Sequence, residues 1–86
     1  MDSVFKALSD KNRRKILSLL KKRNMTVTDI QKHFSITPAS LSHHLDILKR
    51  SNLVQAEREG QFIKYSLNLS AFEEAAQLFF NFFHKS

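Results

Sequence analysis

The chain has 86 residues and a mass of 10.0 kDa, enough for a single domain over 1–86 and too little for two folded domains or a catalytic cleft between them. With 14 Lys and Arg against 8 Asp and Glu, the net charge is +6, which makes a polyanion (nucleic acid or an anionic membrane) the leading partner class. The absence of Cys excludes disulfides, thiolate catalysis and cysteine-ligated metals and suits a reducing cytoplasm. No run of about 18 apolar residues offers a membrane span, and no apolar leader segment is seen at the start.

Val4 to Leu8 reads as a short helix with Val4, Phe5 and Leu8 inward. Ser9 and Asp10 can cap the next helix, Lys11 to about Lys22, whose Ile16, Leu17, Leu19 and Leu20 form an apolar stripe. Asn24 and Met25 read as a turn. Thr26 is the N-cap of a third helix reaching Phe34, with Asp29 as its capping-box partner. Ser35 to Thr37 connect it to a fourth helix, where Thr37 is the N-cap and Pro38 the first helical residue. Leu41, Leu45 and Leu48 line one face of that helix to about Arg50, so that residues 26–50 make a helix-turn-helix. The period then changes from helical to alternating. Leu53 to Arg58 and Phe62 to Asn68 read as strands around a Glu59-Gly60-Gln61 turn, a wing over about 53–68. Ser70 caps a last helix to about His84. The expected fold is mainly α with a β-hairpin wing (α+β), a winged helix-turn-helix of four helices, hairpin and fifth helix.

The run ITPASLSHHLDILKRSNLV over Ile36 to Val54 resembles the ArsR/SmtB family of bacterial winged-helix repressors. VFKALSDKNRRKILSLL and EGQFIKYSLN are similar to the same family, whose small autorepressors are the nearest likeness. The resemblance implies a dimeric repressor of transcription that grips operator DNA in two halves. It implies base contacts at Pro38, Ala39, Ser42 and His43. Asp10-Lys11-Asn12 stands where the family usually has Asp-Pro-Thr, and Thr26-Val27-Thr28 where its metal sensors often carry Cys-Val-Cys. Threonine is a poor soft-metal ligand. The last helix offers only His84 with Glu73 and Glu74, so fold and DNA binding transfer while metal sensing does not.

The candidate DNA contacts are Thr37, Pro38, Ala39, Ser40, Ser42 and His43, at the N-terminal end and outer face of the fourth helix. Hydroxyl and imidazole groups can bond base edges, and Ala39 suits a thymine methyl. Thr37, Ser40 and the helix N–H groups suit phosphate. Arg58, Gln61 and Lys64 are the candidate wing contacts with the minor groove, although Glu57 and Glu59 flank Arg58. His44, beside the buried stripe, reads as a structural histidine, and His33 as solvated. The run Lys11, Arg13, Arg14, Lys15, Lys21, Lys22 and Arg23 reads first as a solvated face, with phosphate contacts second and Arg14 as a candidate for an internal ion pair.

Five of the eight phenylalanines lie in the last helix, more than one stripe needs. Either they complete the core or they form a homodimer seam; the seam would join residues 3–8 to 70–84 through Val4, Phe5, Leu8, Phe72, Ala76, Phe79, Phe80 and Phe83. The alternative function is a protein-interaction module docking a regulatory protein through that aromatic helix. No catalytic motif, metal site or cofactor motif is present in the sequence, and no membrane insertion is expected.

Overall fold

Short polar side chains set the helix starts. In the computed structural model, which describes residues 2–84, α1 spans Asp2–Leu8 and α2 Lys11–Lys22. The Asp10 carboxylate accepts from the N–H groups of Asn12 and Arg13 at 2.8 and 3.2 Å, satisfying two donors that the helix itself leaves orphaned. Thr26 caps α3, Val27–Gln31, by accepting from the Asp29 N–H at 3.1 Å. Thr37 caps α4, Pro38–Arg50, by accepting from the Ser40 N–H at 3.1 Å. Asn52 closes α4 in the left-handed region, at φ 63°. Its N–H donates to the Lys49 carbonyl and the Leu53 N–H to the Leu48 carbonyl, both at 3.0 Å, a Schellman closure.

Strands β1 (Met25–Thr26), β2 (Val54–Glu59) and β3 (Phe62–Leu67) form an antiparallel sheet in the order β1-β3-β2. Glu59 pairs with Phe62, leaving Gly60 and Gln61 as the turn. Gly60 has φ 62°, which the first position of a II′ turn requires. Helix α5, Leu69–His84, follows at once. The core is Ile16, Leu17 and Leu20 of α2, Ile30 of α3, Leu41, Leu45 and Leu48 of α4, and Met25, Leu53 and Val54 from the sheet and its approach; the terminal helices add only Ala7 and Ala75.

Five local expectations need correction. The third helix stops at Gln31, not Phe34: the N–H groups of His33 and Phe34 bond back three residues, to Ile30 and Gln31, and the Gln31 side-chain amide donates to the Ile36 carbonyl at 2.8 Å. Met25 is the start of a strand and not part of a turn; a two-residue strand is too short for any alternation to be visible. On α1 the fully buried residue is Ala7, while Phe5 is 41% exposed and lies edge-on to Phe79 with ring centroids 5.0 Å apart. Asn68, not Ser70, caps α5, its side-chain oxygen accepting from the Ala71 N–H. Glu59 belongs to a strand, so the hairpin turn has two residues.

Candidate nucleic-acid interface

The core stripe Leu41, Leu45 and Leu48 turns one face of α4 inward and leaves the opposite face to solvent. Pro38, Ala39, Ser42 and His43 are exposed there, with Thr37 exposed at the N-cap and Ser40 half-buried. The Thr37 oxygen is engaged by the Ser40 N–H, and its hydroxyl proton can still donate. Among the described residues, no hydrogen bond engages the Ser42 hydroxyl or the His43 ring. Further along, Arg50 pairs with Asp46 at 2.9 Å, an exposed i,i+4 bridge that adds little stability. Behind the helix, burial pushes the Tyr65 hydroxyl pKa upward and the Asp46 carboxylate adds to it, so this phenol stays neutral.

His44 is buried, as a structural histidine should be. Its partner is one the composition hides. Arg13 is only 7% exposed and lies on the buried face of α2, in register with Ile16, Leu17 and Leu20. Its Nε donates to the Ala7 carbonyl at 2.9 Å and a terminal nitrogen to the Lys6 carbonyl at 3.0 Å. The other terminal nitrogen lies 3.1 Å from His44 Nδ1. The sequence signal of Arg13 is its spacing, three and four residues before Ile16 and Leu17, which its place within a run of cations hides. Arg14 donates to the Leu8 carbonyl at 2.8 Å, and among the described residues it forms no ion pair. Lys15 donates to the His33 carbonyl and covers the Phe34 ring at 4.6 Å. Lys11, Lys21, Lys22 and Arg23 are exposed.

The sheet register separates the wing candidates. Arg58 pairs with Ile63 and Lys64 with Glu57, on alternate sides of the hairpin. Arg58 and Gln61 are exposed towards the tip, whereas Lys64 is half-buried further back and lies 3.8 Å from Glu59. Arg58 and Gln61 are thus both exposed near the tip, while Lys64 stands on the other side of the hairpin.

The proposed seam residues cluster along α1 and α5. Val4, Leu8, Phe72 and Phe79 are half-buried, Ala76 is exposed, and Phe80 and Phe83 are 56% and 72% exposed. Phe83 stacks on Phe79, and Phe82, 75% exposed, meets Phe83 edge-on. An open, largely apolar groove of about 520 Å³ runs between α2 and α5, over Leu17, Phe72, Ala75 and Phe79.

Among the described residues, no group of three or more His, Asp or Glu side chains could hold a metal ion, and no helix is long and apolar enough to cross a membrane. At the position of the sensors' thiolates, the Thr26 hydroxyl caps α3, and hydrogen bonds from Thr26 hold the Asp29 carboxylate below its ordinary pKa.

Residues 10–56 match the family described as "Bacterial regulatory protein, arsR family". The chain is 49% identical over 85 residues to the transcriptional repressor SdpR of Bacillus subtilis, covering 99% of this chain and 94% of that protein. It is 31% identical over 77 residues to the arsenical resistance operon repressor of Staphylococcus aureus, covering 90% and 74%. The homodimeric winged helix-turn-helix DNA-binding domain of a Mycobacterium bovis protein superposes with a TM-score of 0.75 at 35% identity, covering 91% of this chain and 69% of that one. On these matches the chain belongs to the arsR family of bacterial regulatory proteins, and it is a transcriptional regulator rather than an enzyme.

Proposed function

We propose that this protein is a homodimeric repressor that reads an inverted-repeat operator in double-stranded DNA and blocks a promoter, its own operon being one candidate target. The observation that carries the reading is the outer face of α4, where Ser42 and His43 stand exposed and unengaged beside a capped, proline-started N-terminus. Such a helix end fits the major groove and favours phosphate oxygens. Thr37, Pro38, Ala39 and Ser40 complete this contact set. Arg58 and Gln61 suit the minor groove, and Lys64, paired with Glu59, contributes less.

The exposed Phe80 and Phe83 support a two-fold seam with α1, which would set two recognition helices about 34 Å apart. Because Thr26 is engaged as a cap, repression is read as independent of a metal at α3. The setting is the cytoplasm, where the operator is. A second reading has α5 docking a regulatory protein, and it draws on Phe82, the most exposed of these rings.

Selection of bound duplexes from a random pool, with the solution mass measured in the same buffer, tests the proposal. An enriched inverted repeat and a mass near two chains are expected, with Ser42→Ala and His43→Ala each weakening that operator by about 1–3 kcal/mol. A pool with no enriched sequence overturns operator reading. The mass of a single chain transfers α5 to a different partner.

A further inference from the structure

We infer that Arg13 is a positioning residue for the DNA-facing helix: through His44 it fixes α4 against the last turn of α1, and it does so on the Nε2–H tautomer of that histidine. The inference rests on the reading of α4 as the helix that meets DNA. Guanidinium groups donate hydrogen bonds and cannot accept them. At 3.1 Å from an Arg13 terminal nitrogen, His44 Nδ1 must therefore be the acceptor, and the proton of the neutral ring sits on Nε2.

The other two Arg13 bonds go to the carbonyls of Lys6 and Ala7, at 3.0 and 2.9 Å. These lie in the final turn of α1, beyond the helical ladder, where a positive charge is favoured; the Lys6 carbonyl also accepts from the Ser9 N–H and hydroxyl. One buried side chain thus ties two helices together across α2. At 7% and 8% exposure, Arg13 and His44 have little water to replace a lost partner. The Asp10 carboxylate, 3.9 Å from Nδ1, already accepts from two backbone N–H groups. His44 directly follows Ser42 and His43, so a change in its seat alters the angle at which both are presented. The fork geometry matters here: the three bonds leave from three different nitrogens spread over a planar guanidinium, whereas a lysine carries all its N–H donors on one nitrogen and cannot reach the three separated acceptors together.

Two measurements on the full-length protein test this. Long-range proton–nitrogen correlation of the imidazoles at pH 8 is expected to give the Nε2–H pattern for His44. An Nδ1–H or doubly protonated ring overturns the inference, with or without an operator. Operator affinity is then compared for His44→Asn, whose amide oxygen can replace Nδ1, with His44→Leu and Arg13→Lys. His44→Asn is expected within about threefold of the parent, and the other two about tenfold or more weaker, a tenfold change being about 1.4 kcal/mol. Equal binding by His44→Asn and His44→Leu overturns the positioning role. If no operator is recovered, the operator reading falls, while the tautomer still decides the Arg13–His44 assignment. If the variants do not fold, the tautomer decides it alone.

Discussion

The helix-turn-helix and the pair of terminal helices answer the same problem, hiding apolar surface, in opposite ways. In α3 and α4 the apolar residues Ile30, Leu41, Leu45 and Leu48 are at most 2% exposed, and the helix ends are closed by Thr26, Thr37 and the Asn52 turn. In α5 only Ala75 is buried, while three phenylalanines are more than half exposed. The first region is completed by its own chain. The second leaves an aromatic surface that one small domain has no means of covering. On the proposed two-fold seam, the difference teaches that stability and assembly are written in separate stretches of this sequence, and they should respond separately to mutation.

Leu45→Ala should have the largest effect, because it opens a cavity in the closed region. A loss of about 2–5 kcal/mol is expected, seen as a fall in Tm of about 10 °C or more in thermal melts of this small domain. Phe83→Ala is the matching cut in the open region. Its ring is 72% exposed, so removing it should scarcely change the folding of one chain. At a two-fold seam it should weaken association by about 2 kcal/mol, roughly thirtyfold in the dimer constant. Mass measured over a dilution series reads this directly. A Phe83→Ala protein with a lowered, concentration-independent Tm and unchanged mass would dissolve the contrast between the two regions.

The closed region was also the legible one. Its caps are short polar residues with one physical job, and Pro38 marks the start of α4 without ambiguity. The apolar spacing of α2 and α4 is borne out by the observed core. Among the features that were not legible, three have distinct physical reasons. The β1 strand is two residues long and gives no period. The end of α3 is set by the Gln31 bond to the Ile36 carbonyl, a contact between residues whose types do not announce it. Arg13 carried its signal in register but not in chemistry, since an arginine on an apolar stripe is read as solvated until three acceptors are found around it. At the candidate site, the exposed face of α4 followed from the leucine spacing, whereas the separation of Lys64 from Arg58 needed the hairpin register.

Asp10 sits where the two regions meet, and it sharpens the comparison by the smallest step. Its carboxylate caps α2, and Arg13, held in place from the same turn, reaches both α1 and α4. Partial burial by itself would raise its pKa. The N–H groups of Arg13 and Asn12 and the charge of Arg13 outweigh that, and the folded value lies below the ordinary 3.8. A depressed folded pKa means that the contribution is complete above the unfolded value and is lost as the pH falls through the folded one. Acid titration from pH 6 down past pH 3 should therefore remove a cap worth about 1 kcal/mol. The charge component is smaller than in a dry site, because the side chain is 34% exposed. Asp10→Asn keeps a capping oxygen but has no charge to titrate, so its melting temperature should vary less over the same range. If Asp10→Asn and the parent lose stability in parallel, the acid response belongs to other carboxylates, and the junction is held by Arg13 alone.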